Sequence, residues 1–132
     1  SELRLLLDVP SNKEATTLVV LPHEAFASFD DFMTYLPRAQ ELSDELYAAI
    51  QIVPFHPDAS FSEAQHDAAD YSTRSPVPML HLLRDSDVEV AEERWLAAHP
   101  EPLYIQERNQ AYLRGLGWEK VQKLAQSVWG DD

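Results

Sequence analysis

Three short apolar runs, the first two rich in β-branched residues, most constrain the fold of this 132-residue chain. They cover residues 16–21 (TTLVVL), 50–55 (IQIVPF) and 79–83 (MLHLL). The last run also fits one helical turn, and we favour the strand. Runs of this length and composition are typical of strands that are covered on both faces. The segments between them are long enough for crossovers that pair strands in parallel. We therefore predict an α/β fold, a small three-layer sandwich in which helices flank a short, mainly parallel sheet of about three strands.

Helical periodicity fills most of the remaining chain. Ser28 is a good N-cap, and apolar residues recur at steps of three and four from Phe29 to Ala49. Pro37 lies inside this pattern and should kink the helix or start a second one. We predict three further helices, over residues 86–98, 103–116 and 118–129. The length indicates a single domain over residues 1–132.

The composition excludes several classes of protein. Apolar residues make up 45% of the chain, which is too many for intrinsic disorder. The sequence has no run of about 18 apolar residues, the length that a membrane-spanning helix needs. The absence of cysteine excludes disulfides and a thiolate nucleophile. A net charge of −13 argues against binding nucleic acid, whose backbone attracts Lys and Arg. We expect a soluble protein, cytoplasmic in a bacterium or inside an organelle in a eukaryote.

Histidines directly follow two of the predicted strands, His23 in LVVLPH and His56 in IVPFH. Ligands of open α/β sheets bind beyond the carboxyl ends of the strands, so both side chains would share one edge if the strands are parallel. The alternative is that each histidine only ends its strand. Nearby side chains that also bind metals in proteins are Asp58, His66, Asp67 and Asp70. Their spacing matches no metal signature, and we expect neither a metal nor a cofactor.

Residues 57–78 show neither the apolar periodicity of a helix nor that of a strand. An irregular connection of that length is more often functional or mobile than inert. Within it, Arg74 is flanked by the hydroxyl groups of Tyr71 and Ser75. A guanidinium group and hydroxyls can together bind a carboxylate or phosphate, which predicts a small anion pocket. The alternative is that Arg74 pairs with Asp70 and fixes the loop.

Two further polar groups interrupt apolar patterns. His81 stands in the third predicted strand, three residues before Arg84. Asn109, in the sequence Glu107-Arg108-Asn109, falls on the predicted buried face of its helix. A buried amide needs hydrogen-bond partners, so we expect Asn109 to tether a loop or face a ligand.

Several segments together resemble one known family. They are TTLVVLP, the helix start Phe29-Asp30-Asp31-Phe32, Pro54-Phe55-His56-Pro57-Asp58, DYSTRSPVPMLHLLRD and IQERN. Over residues 15–117 the chain resembles the uncharacterised, mostly bacterial family called domain of unknown function 1415. The resemblance implies that these positions matter but brings no established reaction. Family members typically carry a further N-terminal segment with a Cys-Pro-Phe stretch and an aromatic, glycine-rich loop where residues 63–67 read EAQHD. Both differences favour a non-catalytic role.

We predict that the polar residues of these segments gather at one cleft. They are His56, Asp58, Tyr71, Arg74, Ser75, His81, Arg84, Glu107, Arg108 and Asn109. The candidate proton-transfer groups are His56 and His81, because the unperturbed pKa of histidine lies near physiological pH. Arg74 and Arg84 would orient a small anionic ligand.

Two functions remain open. We expect a non-catalytic accessory or interaction subunit of a larger assembly, with another protein as partner. The alternative is an enzyme that applies acid–base chemistry to a small anionic metabolite. The helix over residues 118–132 is the predicted docking element, since Trp118 and Trp129 bracket it and Lys120 and Lys123 give it a basic flank. Alternatively, Trp118 packs into the core of its own domain.

Overall fold

The computed structural model describes residues 2–10, 13, 15–22, 24–47, 49–61, 63–99 and 104–130. The elements follow in the order α1 (Glu2–Leu7), β1 (Thr16–Val20), α2 (Phe29–Leu46), β2 (Ile50–Phe55), a 3₁₀ helix (Ala68–Thr73), β3 (Met79–Arg84), α3 (Asp85–Ala98), α4 (Ile105–Leu116) and α5 (Trp118–Trp129). The three predicted strands are confirmed to within one residue at each end. Within these ranges, no helix is both long and apolar enough to cross a membrane.

The sheet has the strand order β1-β3-β2, and both pairings are antiparallel. β1 and β2 run in the same direction and α2 connects them, but β3 lies between them in the opposite direction. The predicted mainly parallel sheet is therefore wrong. Long connections permit parallel pairing, but they do not decide which strand occupies the centre.

α2 begins where its cap predicts. The Ser28 hydroxyl accepts a hydrogen bond from the Asp31 N–H at 3.3 Å, and Asp30 and Asp31 lie in the first turn, where the helix dipole favours acidic groups. The helix continues through Pro37 to Leu46, so of the two expectations for this proline, the start of a second helix is wrong. Phe32 and Ser43, on either side of Pro37, are both buried.

The core lies on one face of the sheet, which α1 and α2 cover. Leu6 of α1, Ile50 and Leu82 are buried together there. On the opposite face, Leu18 and Val20 of β1 are 56% and 61% exposed. No helix of the described residues covers β1 on this face, so the expected third layer is absent there.

The helices α4 and α5 form a second packed region with the 3₁₀ helix. Gly117 ends α4 and begins α5 with a φ of 86°, a conformation that favours glycine. The turn brings the Trp118 ring to 5.1 Å from the Tyr71 ring. This region holds much of the 57–78 connection against the C-terminal helices.

Candidate functional site

The predicted site residues do not all share one cleft, because the antiparallel register places Arg84 at the far end of the sheet from His56. Phe55 pairs with Met79 at one end of the sheet, and Ile50 pairs with Arg84 at the other. His56 follows β2 directly and Arg84 pairs with its first residue, so six residues at the rise of a strand separate them by roughly 20 Å. The single cleft predicted from the sequence is therefore wrong. The His56 N–H donates to the Thr73 carbonyl at 3.1 Å, however, which brings His56 beside Arg74. His23 lies outside the described residues.

His56 is fully buried and both of its ring nitrogens are hydrogen-bonded to the backbone. Nδ1 accepts from the Asp58 N–H at 3.0 Å, so the ring proton is on Nε2, which donates to the Phe26 carbonyl at 2.7 Å. The rings of Phe29 and Phe32 lie 5.4 and 5.2 Å from the imidazole. His56 thus links the end of β2 to the segment before α2 and offers neither nitrogen to a substrate. The Asp58 side chain is exposed.

Arg84 is 4% exposed and joins two backbone carbonyls to one carboxylate. Its Nη1 donates to the Val9 carbonyl at 2.6 Å, and Nη2 donates to the Lys13 carbonyl. The guanidinium also forms a double hydrogen bond to the Asp87 carboxylate, with distances of 2.8 and 3.2 Å. These contacts fix the α1–β1 connection to the start of α3. They leave Arg84 poorly placed to orient a ligand.

Arg74 lies among aromatic rings and does not pair with Asp70. Its Nε donates to the Ala59 carbonyl at 3.1 Å, and its guanidinium carbon lies 4.7 Å from the Tyr71 ring centroid and 5.0 Å from that of Trp118. The Asp70 carboxylate accepts from the Phe61 N–H instead, at 3.1 Å. Arg74 therefore holds α5 to the 3₁₀ helix by cation–π contacts. Within the described ranges its Nη atoms have no hydrogen-bond partner and remain able to bind an anion.

Ser75, the hydroxyl predicted beside Arg74, has a local partner. Its Oγ is buried and donates to the Val77 carbonyl. This bond fixes the turn that enters β3. The Ser75 hydroxyl proton is consequently not available to a ligand.

An ion pair between Asp67 and Arg114 was not predicted. Nε and Nη2 of Arg114 donate to the two carboxylate oxygens at 3.1 and 3.0 Å. The hydrogen bond to Asp67, followed by its charge, raises the pKa of Arg114. The pair joins α4 to the cap of the 3₁₀ helix, where Asp67 also accepts from the Ala69 N–H. The two residues are 47 positions apart, and no local pattern signals such a contact.

His81 lies on the open face of the sheet. The Thr16 hydroxyl donates to the Leu82 carbonyl at 3.0 Å, so its oxygen accepts from Nε2 of His81. The Phe55 ring lies 6.1 Å from the imidazole. Burial lowers the pKa of His81 because water no longer solvates the charged form fully.

The three residues of α4 that were predicted as site residues face solvent. Glu107, Arg108 and Asn109 are all exposed, so the predicted burial of Asn109 is wrong. The helix packs against the 3₁₀ helix, but its apolar face is only partly covered, since Tyr112 on that face is exposed. Helical periodicity identified the face but not how much of it a neighbour covers.

An apolar groove of about 230 Å³ lies beside α2. Its lining residues are Leu21, Phe26, Phe32, Tyr35, Leu36, Arg38, Ala39, Leu42 and Leu80. None of the ten predicted site residues lines it. Within the described part of the chain, no three His, Asp or Glu side chains converge as a group that could hold a metal ion.

The face of α5 that packs near its start continues exposed toward its end. Trp118 contacts Tyr71 and Arg74, and Val121 is buried. Helical spacing places Leu124 and Val128 on the same face, yet both are exposed, Val128 by 77%. We call Leu124, Val128 and the partly exposed Trp129 the α5 stripe. The start of α5 thus packs into its own domain, as the alternative for Trp118 predicted. Toward the end of the helix, Leu124 and Val128 are exposed, while the Trp129 ring lies 6.5 Å from the Tyr71 ring.

Comparison with known proteins gives one result. No curated protein and no solved structure matches the chain. A family model described as "protein of unknown function (DUF1415)" matches residues 1–123, which is nearly the whole sequence. The chain therefore belongs to the DUF1415 family, as the resemblance of its polar segments indicated.

Proposed function

We propose that this protein is a non-catalytic interaction subunit that docks onto another protein through the α5 stripe. The observation that carries the proposal is the continuity of the α5 face. The stripe extends a face that is packed at Trp118 and Val121, but at Leu124 and Val128 nothing in the described chain covers it. Adjacent large apolar side chains on a surface helix are typical of a protein interface.

The exposed apolar side chains of the C-terminal helices also support an interaction role. Tyr112, Leu124 and Val128 are 68%, 52% and 77% exposed. These side chains are available for burial against another molecule.

Charge indicates the chemistry of the partner. Residues 104–132 contain four basic and four acidic side chains, whereas the whole chain carries −13. The C-terminal part is thus close to neutral on an acidic protein, and two of its basic side chains, Lys120 and Lys123, lie within α5. An apolar partner surface with acidic groups opposite these lysines would complement α5, and such complementarity raises association rates and selects partners.

The alternative, an acid–base enzyme acting on a small anion, draws its support from the free Nη atoms of Arg74. The acid–base part has less support, since both His56 nitrogens are hydrogen-bonded to backbone groups. A second candidate proton carrier, His81, is on the open sheet face beside Thr16. Because the His56 ring has no nitrogen left for a substrate, we favour the interaction role over the enzyme.

The test places a photo-crosslinking amino acid at Val128 in cells that express the chain. The matched control carries it at Val90, an exposed valine on α3. We expect one discrete adduct with a different protein from position 128 and none from position 90. The adducted protein is then purified, and Val128→Glu should weaken its binding to the chain at least about tenfold. Equal crosslinking from both positions, or binding that Val128→Glu leaves unchanged, would contradict the proposal.

A further inference from the structure

The two edges of the sheet differ. On β2, a side chain of α2 occupies the edge: Nε2 of Gln40 donates to the Ile50 carbonyl and Oε1 accepts from the Ile52 N–H, both at 3.0 Å. The next outward-facing residue, Pro54, has no N–H to offer. The Gln40 amide and Pro54 therefore prevent another strand from pairing with β2.

The edge of β1 is open. The Leu21 N–H donates to the Pro78 carbonyl at 2.9 Å. In an antiparallel pair every second residue bonds to the neighbouring strand, so Val19 and Thr17 also direct their backbone groups toward β3. The backbone N–H and C=O groups of Thr16, Leu18 and Val20 then point away from the sheet. Within the described residues, these outward groups have no backbone partner. Residues 15–21 also contain no charge and no proline, the usual protections of an edge strand.

We propose that β1 pairs with β1 of a second copy of this chain, antiparallel about a two-fold axis at Leu18. The edge is self-complementary. Leu18 would exchange two hydrogen bonds with Leu18 of the second copy, and Thr16 and Val20 would pair with each other across the axis, two bonds each time. The product is one six-stranded sheet with β1 of each copy at its centre.

Charge favours a second copy at this edge. Two copies that each carry −13 repel one another over most of their surfaces, but β1 brings no like charges together. On the open face, the exposed Leu18 side chains would lie opposite each other. Because β2 is blocked, each copy has one free edge, and the assembly closes as a dimer without growing into a fibre. This dimer uses a surface different from the α5 stripe and does not depend on the proposed function.

The test measures mass by sedimentation equilibrium from about 5 to about 500 µM, a range that includes weak, small interfaces. We expect the mass to rise from 15.0 kDa toward twice that value. Leu18→Pro removes an N–H that points at the second copy and not at β3, and Leu18→Lys places two like charges opposite each other. Each should raise the dimer dissociation constant at least about tenfold. The control Val90→Lys puts the same charge on α3, outside both proposed surfaces, and should leave the constant unchanged.

Hydrogen exchange locates the interface. The amides of Thr16, Leu18 and Val20 should become protected as the concentration rises, while that of Val19, which faces β3, stays protected throughout and in the Leu18→Lys variant. A monomer at the highest concentration overturns the proposal. So does a dimer that neither Leu18 variant weakens. Protection of these amides only after a different protein is added would assign the edge to a heterologous strand, and the proposal would also fail.

Discussion

Replacing Arg84 by methionine should destabilise the fold strongly. Loss of one partner from a buried ion pair costs about 3–5 kcal/mol, because the other charge is left uncompensated. The Asp87 side chain is 20% exposed, so water offsets part of this cost, while the Val9 and Lys13 carbonyls also lose their donor. We therefore expect a loss of about 3–4 kcal/mol, a large fraction of the total of about 5–15 kcal/mol for a domain.

Urea and thermal unfolding measure this loss. For a chain of this size, the melting temperature should fall by about 10–15 °C. The matched control is Arg114→Met, which breaks the Asp67 pair on a side chain that is 56% exposed. The Asp67 carboxylate is 11% exposed but keeps the hydrogen bond from the Ala69 N–H, so this variant should lose clearly less stability than Arg84→Met. An Arg84→Met protein as stable as the wild type would refute the structural role of Arg84 and restore it as a candidate ligand residue.

Three further predictions concern single side chains. Ser43→Ala should raise stability by about 1 kcal/mol in urea unfolding, because the buried Ser43 hydroxyl has no hydrogen-bond partner among the described residues; an unchanged or lower midpoint would mean that the hydroxyl is satisfied. Gln40→Ala should lower the free energy of unfolding by about 1–3 kcal/mol and expose the backbone groups of the β2 edge, so that light scattering detects species larger than a dimer. A variant that stays dimeric would show that Gln40 does not block pairing at this edge. Because the folded pKa of His81 is lowered, the unfolded chain binds the proton more readily, and the contribution of His81 to stability is complete above pH 6.5 and declines as the pH falls below it. His81→Gln should remove this part of the pH profile of unfolding, and a profile that is unchanged in the variant would contradict the assignment.

The sequence predicts the elements of this fold well but not their arrangement. Local composition suffices for the strands at residues 50–55 and 79–84 and for the cap at Ser28. Strand order depends on contacts between distant segments, and no local signal placed β3 between β1 and β2. The predictions of a mainly parallel sheet and of a shared cleft were wrong for the same reason, since the cleft was inferred from the direction of the strands.

The same distinction applies to the polar residues. The sequence identifies His56 and Arg84 as unusual positions, and both are indeed buried. Their partners are backbone carbonyl and N–H groups from other segments, which carry no side-chain signature. Residue type therefore indicated that these groups needed partners, but it did not show whether the partner was a ligand or the chain itself. The predicted burial of Asn109 was wrong because helical periodicity does not show how much of an apolar face a neighbouring element covers.

One comparison tests most directly that His56 is structural and that the α5 stripe binds a partner. His56→Leu and Val128→Glu are compared for two quantities, the unfolding midpoint and the affinity for the protein that is crosslinked at position 128. His56→Leu leaves the Phe26 carbonyl and the Asp58 N–H without partners and should cost about 2–4 kcal/mol of stability, with affinity retained by the folded fraction. Val128→Glu, on a side chain that is 77% exposed, should leave the midpoint unchanged and weaken binding at least about tenfold. The opposite result, a stable His56 variant that loses binding beside a Val128 variant that keeps it, would contradict both the structural role of His56 and docking through the α5 stripe.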